Sequence, residues 1–301
     1  MQISSYLKKP QGLFVSLLQH FGGWIPDKIY LKWLFRLKMG YKLDLKHPKT
    51  FSEKLQWLKL YNRKPEYTIM VDKYAVKDYV AEIIGKEYII PTLGVWNRPE
   101  DIEWDKLPQK FVLKTNFGGG SCGVVICQNK ATFDKDAAIV KLESAMKQDI
   151  YSFLREWPYK DVPHKIIAEQ YIEHQSEMTD LPDYKFFCFN GEPKYCQVIS
   201  GRNTKESIDF FDKEWNHQPF HEPKIYPFAE NRPSKPCCYD QMWDMAKKLA
   251  EGKPFSRIDF YEVDRKIYFG EITFFPTSGF GGFNPESYDE LVGQMIKLDK
   301  Y

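Results

Sequence analysis

Residues 256–282, SRIDFYEVDRKIYFGEITFFPTSGFGG, carry the reading that decides the fold. RIDFYEV alternates, IYFGEITFF alternates again, and Asp264, Arg265 and Lys266 stand between them. Two β-branched and aromatic runs around a short polar break predict an antiparallel hairpin. With a three-residue loop, Val263 faces Ile267; counting back, Asp259 faces Glu271 and Arg257 faces Thr273. Like charges directly across a ladder destabilise by roughly 0.2–1 kcal/mol, and by more where water is excluded. A cation between the two acids reverses the sign. Mg2+ takes carboxylate oxygens, usually together with phosphate oxygens of a bound nucleotide. A register slipped by one residue would instead put the acids on opposite faces and leave both solvated.

Working outward, 301 residues with 43% hydrophobic content can bury a sizeable core in one large or two ordinary domains. A net charge of only +2 argues against nucleic acid as a partner. The six cysteines, Cys122, Cys127, Cys188, Cys196, Cys237 and Cys238, contain no CxxC pair, and the N-terminus does not resemble a cleavable export signal. Reduced thiols in the cytoplasm are the expectation. No apolar run reaches the roughly 18–20 residues that span a bilayer.

Residues 1–48 mix aromatic, apolar and basic side chains, as in Leu13, Phe14, Val15, Leu17 and Leu18 and in the run from Tyr30 to Lys38. Such a stretch either packs on the rest of the chain or lies on an anionic membrane surface, at the inner face of the membrane for a cytoplasmic protein. Thr50 and Glu53 form a capping box that opens a helix with Phe51, Leu55 and Leu58 on one stripe. A second helix has Asp72 as cap, Val76, Tyr79, Val80, Ile83 and Ile84 as its apolar face, and Gly85 as stop. Lys73 and Lys77 ride beside that face, and spacing alone assigns both to a solvated surface.

Strand signals follow at 88–90 and 110–115, with Lys114 on the outer face just before Gly118-Gly119-Gly120-Ser121-Cys122-Gly123. Four glycines in six residues let backbone amides turn toward phosphate oxygens, or simply make a flexible hairpin tip. The following run, Val124 to Cys127, reads as a strand, whereas a Walker loop or dinucleotide fold needs a helix there. Beyond it come a helix over 134–149, a strand over 165–172, a hairpin turned by Asn190-Gly191 with Asp183 and Lys185 on one face, and a helix over 239–250. Asn284-Pro285 reads as the cap and first residue of a last helix carrying Tyr288, Leu291, Val292, Met295 and Ile296. The histidines show no metal-ligand spacing.

The order of these parts resembles the ATP-grasp superfamily. The wording FSEKLQW, DKYAVKDYV, FVLKTNFGGGSCGV, DYKFFCFNG and RIDFY with GEITFFPTSG is similar to its TupA-like branch, of the teichuronopeptide-synthesis type, over roughly residues 46–285. The resemblance implies an α+β ATP-grasp fold in which two lobes with antiparallel sheets enclose ATP. It divides the chain into a mostly helical region 1–65, a first lobe with the glycine lid at 66–182, and a second lobe with the metal hairpin at 183–301. By the same resemblance Lys73 and Lys114 touch the phosphates, Gly118, Gly119, Gly120 and Ser121 close over them, and Glu169, Gln170, Tyr171 and Ile172 line the adenine edge. Asp183 or a neighbouring acid holds the ribose. Arg257 steadies the transferred phosphoryl group, Lys185 binds phosphate or a substrate carboxylate, and Asp259 and Glu271 hold Mg2+. Thr273 stands where many family members have Asn, which loosens any second metal. Ser278 and Gly279 match a small-residue turn of the family.

Such an enzyme phosphorylates a carboxylate with ATP and lets an amine attack the acyl phosphate. For this branch the resemblance implies an amide between an amino acid or peptide and a uronic-acid carboxylate of a surface polysaccharide, free or lipid-linked. Chains of this kind are often labelled polysaccharide glycosyltransferases, so a nucleotide-sugar-dependent transferase is one rival. Many such transferases hold their metal with Asp-x-Asp. A non-catalytic nucleotide-binding module in a membrane-associated assembly is another.

Overall fold

The computed structural model describes residues 10–120, 122–173, 183–201 and 205–298. Two antiparallel sheets organise them. Five helices come first: α1 (Pro10–Phe21), α2 (Asp27–Met39), α3 (Phe51–Tyr61), α4 (Glu66–Val71) and α5 (Val76–Ile84). The four-stranded sheet has the order β1-β4-β2-β3, from β1 (Thr92–Trp96), β2 (Phe111–Thr115), β3 (Val124–Cys127) and β4 (Ile166–Gln170), with α6 (Lys135–Met146) and α7 (Ile150–Leu154) inserted before β4. The five-stranded sheet has the order β7-β6-β5-β8-β9, from β5 (Asp183–Phe189), β6 (Glu192–Ser200), β7 (Ser207–Phe211), β8 (Phe255–Val263) and β9 (Lys266–Thr273). Helix α8 (Tyr239–Ala250) joins β7 to β8, and α9 (Ser287–Gly293) follows β9.

Local chemistry sets many of the boundaries. The Thr50 hydroxyl accepts from the Glu53 N–H at 3.1 Å, and the Glu53 carboxylate accepts from the Thr50 N–H at 3.2 Å, the reciprocal box that the sequence predicts. Asn190-Gly191 turns β5 into β6, with both residues at positive φ. Helix α8 runs over the predicted span and buries Tyr239, Met242, Trp243, Ala246 and Leu249.

Four boundaries differ from the expectation. Residues 88–90 are not a strand: a 3-10 turn ends at Tyr88 and β1 begins at Thr92, after Pro91, which has no N–H to give a ladder. Asp72 acts one turn early, its carboxylate accepting from the Tyr74 and Ala75 N–H groups at 2.8 and 3.2 Å, so α5 starts at Val76. The helix expected over 134–149 stops at Met146, and Asp149 instead caps a separate α7 through the Ser152 N–H at 2.8 Å. The last helix starts at Ser287, beyond Asn284 and Pro285, and stops at Gly293, before Met295 and Ile296.

One hydrophobic core runs from the N-terminal helices into the five-stranded sheet. Leu31 and Phe35 of α2, Phe51 and Leu55 of α3, and Val76 and Val80 of α5 share it with Phe187, Phe255 and Ile258. Phe51 meets Phe255 edge-on at 5.0 Å between ring centroids and Phe283 at 5.6 Å. A smaller core of Phe111, Leu113, Leu142, Ile166 and Ala168 lies under the four-stranded sheet. The corner between α1 and α2 is tied down by Arg155, fully buried, which pairs with Asp27 at 3.0 Å, donates to the Gly22 carbonyl at 2.9 Å and lies over the Tyr30 ring at 3.9 Å. The N-terminal stretch therefore packs on the chain through Tyr30, Leu31, Leu34 and Phe35. Among the described residues no helix is long and apolar enough to cross a membrane.

Candidate active site

The hairpin β8–β9 places its acids as the sequence implies, by a different route. The turn has two residues, Asp264 and Arg265, both at positive φ, and Val263 faces Lys266. That register alone would leave Asp259 opposite Gly270. An extra residue in β9 then shifts the ladder between Asp259 and Phe260, so Asp259 faces Glu271 and Arg257 faces Thr273. Gly270 sits at this bulge, where a Cβ would come within 3.1 Å of the Asp259 carbonyl and 3.2 Å of the Tyr261 ring.

The cation between the facing carboxylates belongs to the chain itself. The Arg257 guanidinium donates from Nε to Asp259 Oδ1 and from Nη2 to Asp259 Oδ2, both at 2.7 Å, and from Nη2 to Glu271 Oε1 at 2.9 Å. The Thr273 hydroxyl accepts from Arg257 at 3.1 Å and donates to Glu271 Oε1 at 3.1 Å, so it orients both groups. From β5, opposite Asp259 in register, Lys185 bonds Asp259 Oδ2 and pairs with Asp183 at 2.8 Å. Burial would raise the Glu271 carboxyl, but the charges of Lys73, Arg257 and Lys185 outweigh it and hold the group at about 2. Burial raises the Asp259 carboxyl above its usual range against the opposing pull of Arg257 and Lys185.

Lys73 joins this cluster to the glycine segment. It lies between α4 and α5, its backbone N–H donates to the Asn116 carbonyl at 2.7 Å, and its ammonium stands 3.7 Å from Glu271 Oε2 while bonding the Gly118 carbonyl. Burial lowers that ammonium, and Glu271 opposes the fall. Gly118 and Gly120 adopt positive φ, Gly119 has open space around its Cα, and the segment connects β2 to β3 as the sequence predicts. Ser121 lies outside the described residues. The space between Lys73, Lys114, Phe117 and the glycines is small, about 20 Å3.

A second cluster was only half visible in the sequence. Lys114 pairs with Glu169 at 2.7 Å, and Lys77 pairs with the other oxygen of Glu169 at 2.6 Å. Lys77 also donates to the Ile90 carbonyl at 2.8 Å and the Thr92 hydroxyl at 2.7 Å. The solvated-surface reading of Lys73 and Lys77 is therefore wrong, because acids from β9 and β4 meet them. No local signal marked either one, since Lys73 lies before α5 and each lysine meets an acid from a distant strand, Glu271 for Lys73 and Glu169 for Lys77. Burial opposes ionisation of Glu169, yet Lys114 and Lys77 hold its carboxyl below the usual range. The Glu169 side chain is thus committed to lysines, while Gln170 is exposed and Tyr171 and Ile172 are half-buried at the end of β4 away from the glycines.

Two further polar groups went unnoticed. Lys59 of α3 is fully buried and donates at 2.9 Å to the Leu154 carbonyl, the Ser278 carbonyl and the Ser278 hydroxyl. Burial lowers its ammonium to about 7, against the pull of Glu156. Glu222, also buried, accepts from the Thr277 hydroxyl, and burial pushes its carboxyl up to about 7 despite that bond. Together they grip the turn at Thr277, Ser278 and Gly279, all at positive φ. Among the described residues no group of three or more His, Cys, Asp or Glu could hold a metal alone. The chain has an Asp-x-Asp, Asp134-Lys135-Asp136, but Asp134 caps α6 through the Ala137 N–H at 2.9 Å and both acids are exposed.

Against solved structures, the chain is similar to the D-alanine-D-alanine ligase from Helicobacter pylori at 14% identity and a TM-score of 0.42, over 82% of this chain and 69% of that one. It is similar to the D-alanine–D-alanine ligase from Bacillus anthracis complexed with ATP at 18% identity and a TM-score of 0.41, over 76% of this chain and 63% of that one. It is similar to the ATP-grasp ligase PsnB complexed with a minimal precursor, Mg and ADP at 11% identity and a TM-score of 0.37, over 86% of this chain and 64% of that one. The chain thus spans about two thirds of the length of these ligases. No curated protein matches. The sequence model of the TupA-like ATP-grasp family matches residues 53–297, most of the chain and all the clusters just described. The chain belongs to the TupA-like ATP-grasp family.

Proposed function

We propose that this chain is an ATP- and Mg2+-dependent carboxylate–amine ligase that joins an amino acid, a peptide or another amine to the uronic-acid carboxylate of a surface polysaccharide, free or lipid-linked. The observation that carries the reading is the facing pair Asp259 and Glu271, bridged by Arg257 and linked through Lys73 to the glycine segment. Carboxylate oxygens fit Mg2+, which takes its remaining ligands from phosphate and water. Glu271 Oε2 keeps the loosest ion pair of the cluster, 3.7 Å to Lys73, and is the oxygen best able to turn to a metal. The glycine amides and the Lys73 and Lys114 ammoniums fit phosphate oxygens, and the end of β4 offers the adenine edge.

ATP and Mg2+, when bound, supply the phosphoryl group and the charge that activates a carboxylate oxygen. Arg257 and Lys185 neutralise charge on the transferred group, Thr273 holds Arg257 in place, and Lys73 and Lys114 orient the phosphates. The glycine segment moves outward to admit the nucleotide and then shields the acyl phosphate from water. The amine attacks the acyl carbon, the carbon–oxygen bond to phosphate breaks, and the proton from the amine leaves to solvent or a nearby base.

Calorimetry of ATP binding with and without Mg2+, on the native chain and on Glu271→Gln, tests the reading. Mg2+-dependent binding that weakens in the variant, followed by ADP release with amino acids and uronic-acid glycans, supports it. A folded sample that ignores ATP and binds a nucleotide sugar overturns it.

A further inference from the structure

The corner between α1 and α2 presents an apolar hollow of about 530 Å3, lined by Phe14, Leu17, Phe21, Trp24, Trp33 and Leu37. Its aromatic rim faces solvent: Trp24 is 84% and Phe21 70% exposed. Exposed aromatic groups that adjoin one another around a hollow mark an interaction surface more often than apolar residues scattered singly do. The helix geometry sets a basic stripe beside the hollow, because Lys28, Lys32 and Arg36 follow at i,i+4 along α2, and all three are exposed. Lys38 and Lys42 are exposed as well. Between residues 10 and 44 the acids are Asp27, committed to Arg63 at 2.6 Å and Arg155 at 3.0 Å, and Asp44, which lies near Lys32 and accepts from the Lys46 and His47 N–H groups.

We propose that this corner docks on an anionic lipid bilayer, with Phe21, Trp24 and Trp33 in the interfacial zone and Lys28, Lys32 and Arg36 against the headgroups. Charge selects this occupant over a second copy of the chain. A two-fold pairing of the same face would bring two Lys28–Lys32–Arg36 stripes together, whereas an anionic surface offers the opposite sign, and tryptophan is favoured at that depth. The corner is rigidly joined to the body, since Arg155 holds the Gly22 carbonyl and Asp27 at once, so docking would orient the whole molecule. The inference does not depend on the ligase reading.

Flotation of the full chain with vesicles of phosphatidylcholine, with and without phosphatidylglycerol, tests it. Binding should need the anionic lipid and fade at high salt. Replacing Lys28, Lys32 and Arg36 together by Gln should weaken partitioning by about a hundredfold, and Phe21→Ser with Trp24→Ser by roughly tenfold or more. Thermal melting should stay unchanged in both variants, which separates a docking defect from misfolding. The proposal is overturned by no partitioning at low salt, by partitioning that neither variant alters, or by a concentration-dependent dimer that Phe21→Ser abolishes.

Discussion

Asp259 and Glu271 face each other across β8 and β9 because Gly270 adds one residue to β9 where the turn supplies one fewer than a three-residue loop would. The two offsets cancel, and Arg257 then reaches both carboxylates at 2.7 and 2.9 Å. The alignment of the acids therefore depends on the two-residue turn and the bulge at Gly270 together.

Gly270→Ala tests that dependence. The added Cβ would press on the Asp259 carbonyl at 3.1 Å and the Tyr261 ring at 3.2 Å. The expected cost is about 1–3 kcal/mol in denaturant unfolding. ATP affinity should fall further than an equal destabilisation of the distant α6 produces, since the shift acts on the two acids directly.

Glu271→Gln should lower turnover, read as ADP release, by roughly 10²–10³-fold. Its pH behaviour has a definite sign. The folded carboxyl is depressed from 4.5 to about 2, so its stabilising share is present above 4.5 and is lost as pH falls toward 2. The stability gap between native chain and variant should shrink over that window, measured by thermal melts.

Glu169 is buried and carries two half-buried lysines. Glu169→Gln leaves Lys77 and Lys114 without their shared acid, an expected loss of about 3–5 kcal/mol in urea unfolding. Lys77→Met should cost less, because Glu169 keeps Lys114 at 2.7 Å. A double-mutant cycle should show the two changes strongly non-additive.

Glu222 behaves in the opposite sense to Glu271. Burial lifts its folded carboxyl from 4.5 to about 7, so its stability contribution is full below 4.5 and is lost as pH rises to about 7. Glu222→Gln removes that ionisation. Relative to the native chain, the variant should gain up to about 3 kcal/mol between mildly acidic and mildly alkaline pH. Paired thermal melts across the window check it; a difference independent of pH would show that the carboxyl does not titrate there.

Much of the architecture was legible locally. The Thr50–Glu53 box, the Asn190-Gly191 turn and the apolar face of α8 each act within a few residues, so spacing and turn chemistry suffice to place them. Lys73, Lys114, Asp259, Glu271 and Arg257 were singled out by hairpin counting and by motif order; the structure sets Lys73 and Lys114 against the glycine segment and links Lys73 through Glu271 to Arg257 and Asp259. Lys77 was misread because its partner Glu169 lies on a strand far along the chain. Lys59 and Glu222 escaped for the same reason: their partners Ser278 and Thr277 come from a turn that no local pattern links to α3 or to the segment after β7.

By itself the sequence determined the antiparallel hairpin, the glycine-rich connection between two strands, and the helices that flank them, since each follows from alternation, capping or turn residues a few positions apart; the facing of Asp259 and Glu271 needed the bulge at Gly270 to offset a shorter turn. Only the tertiary structure decided which charge neutralises which. Arg257 turned out to bridge the two acids, Glu169 to bind two lysines, and α3 to share its core with the five-stranded sheet. Such pairings depend on how β4, β5, β8 and β9 are brought together, and the hydrophobic burial that does so is non-directional and leaves no short-range mark in the chain.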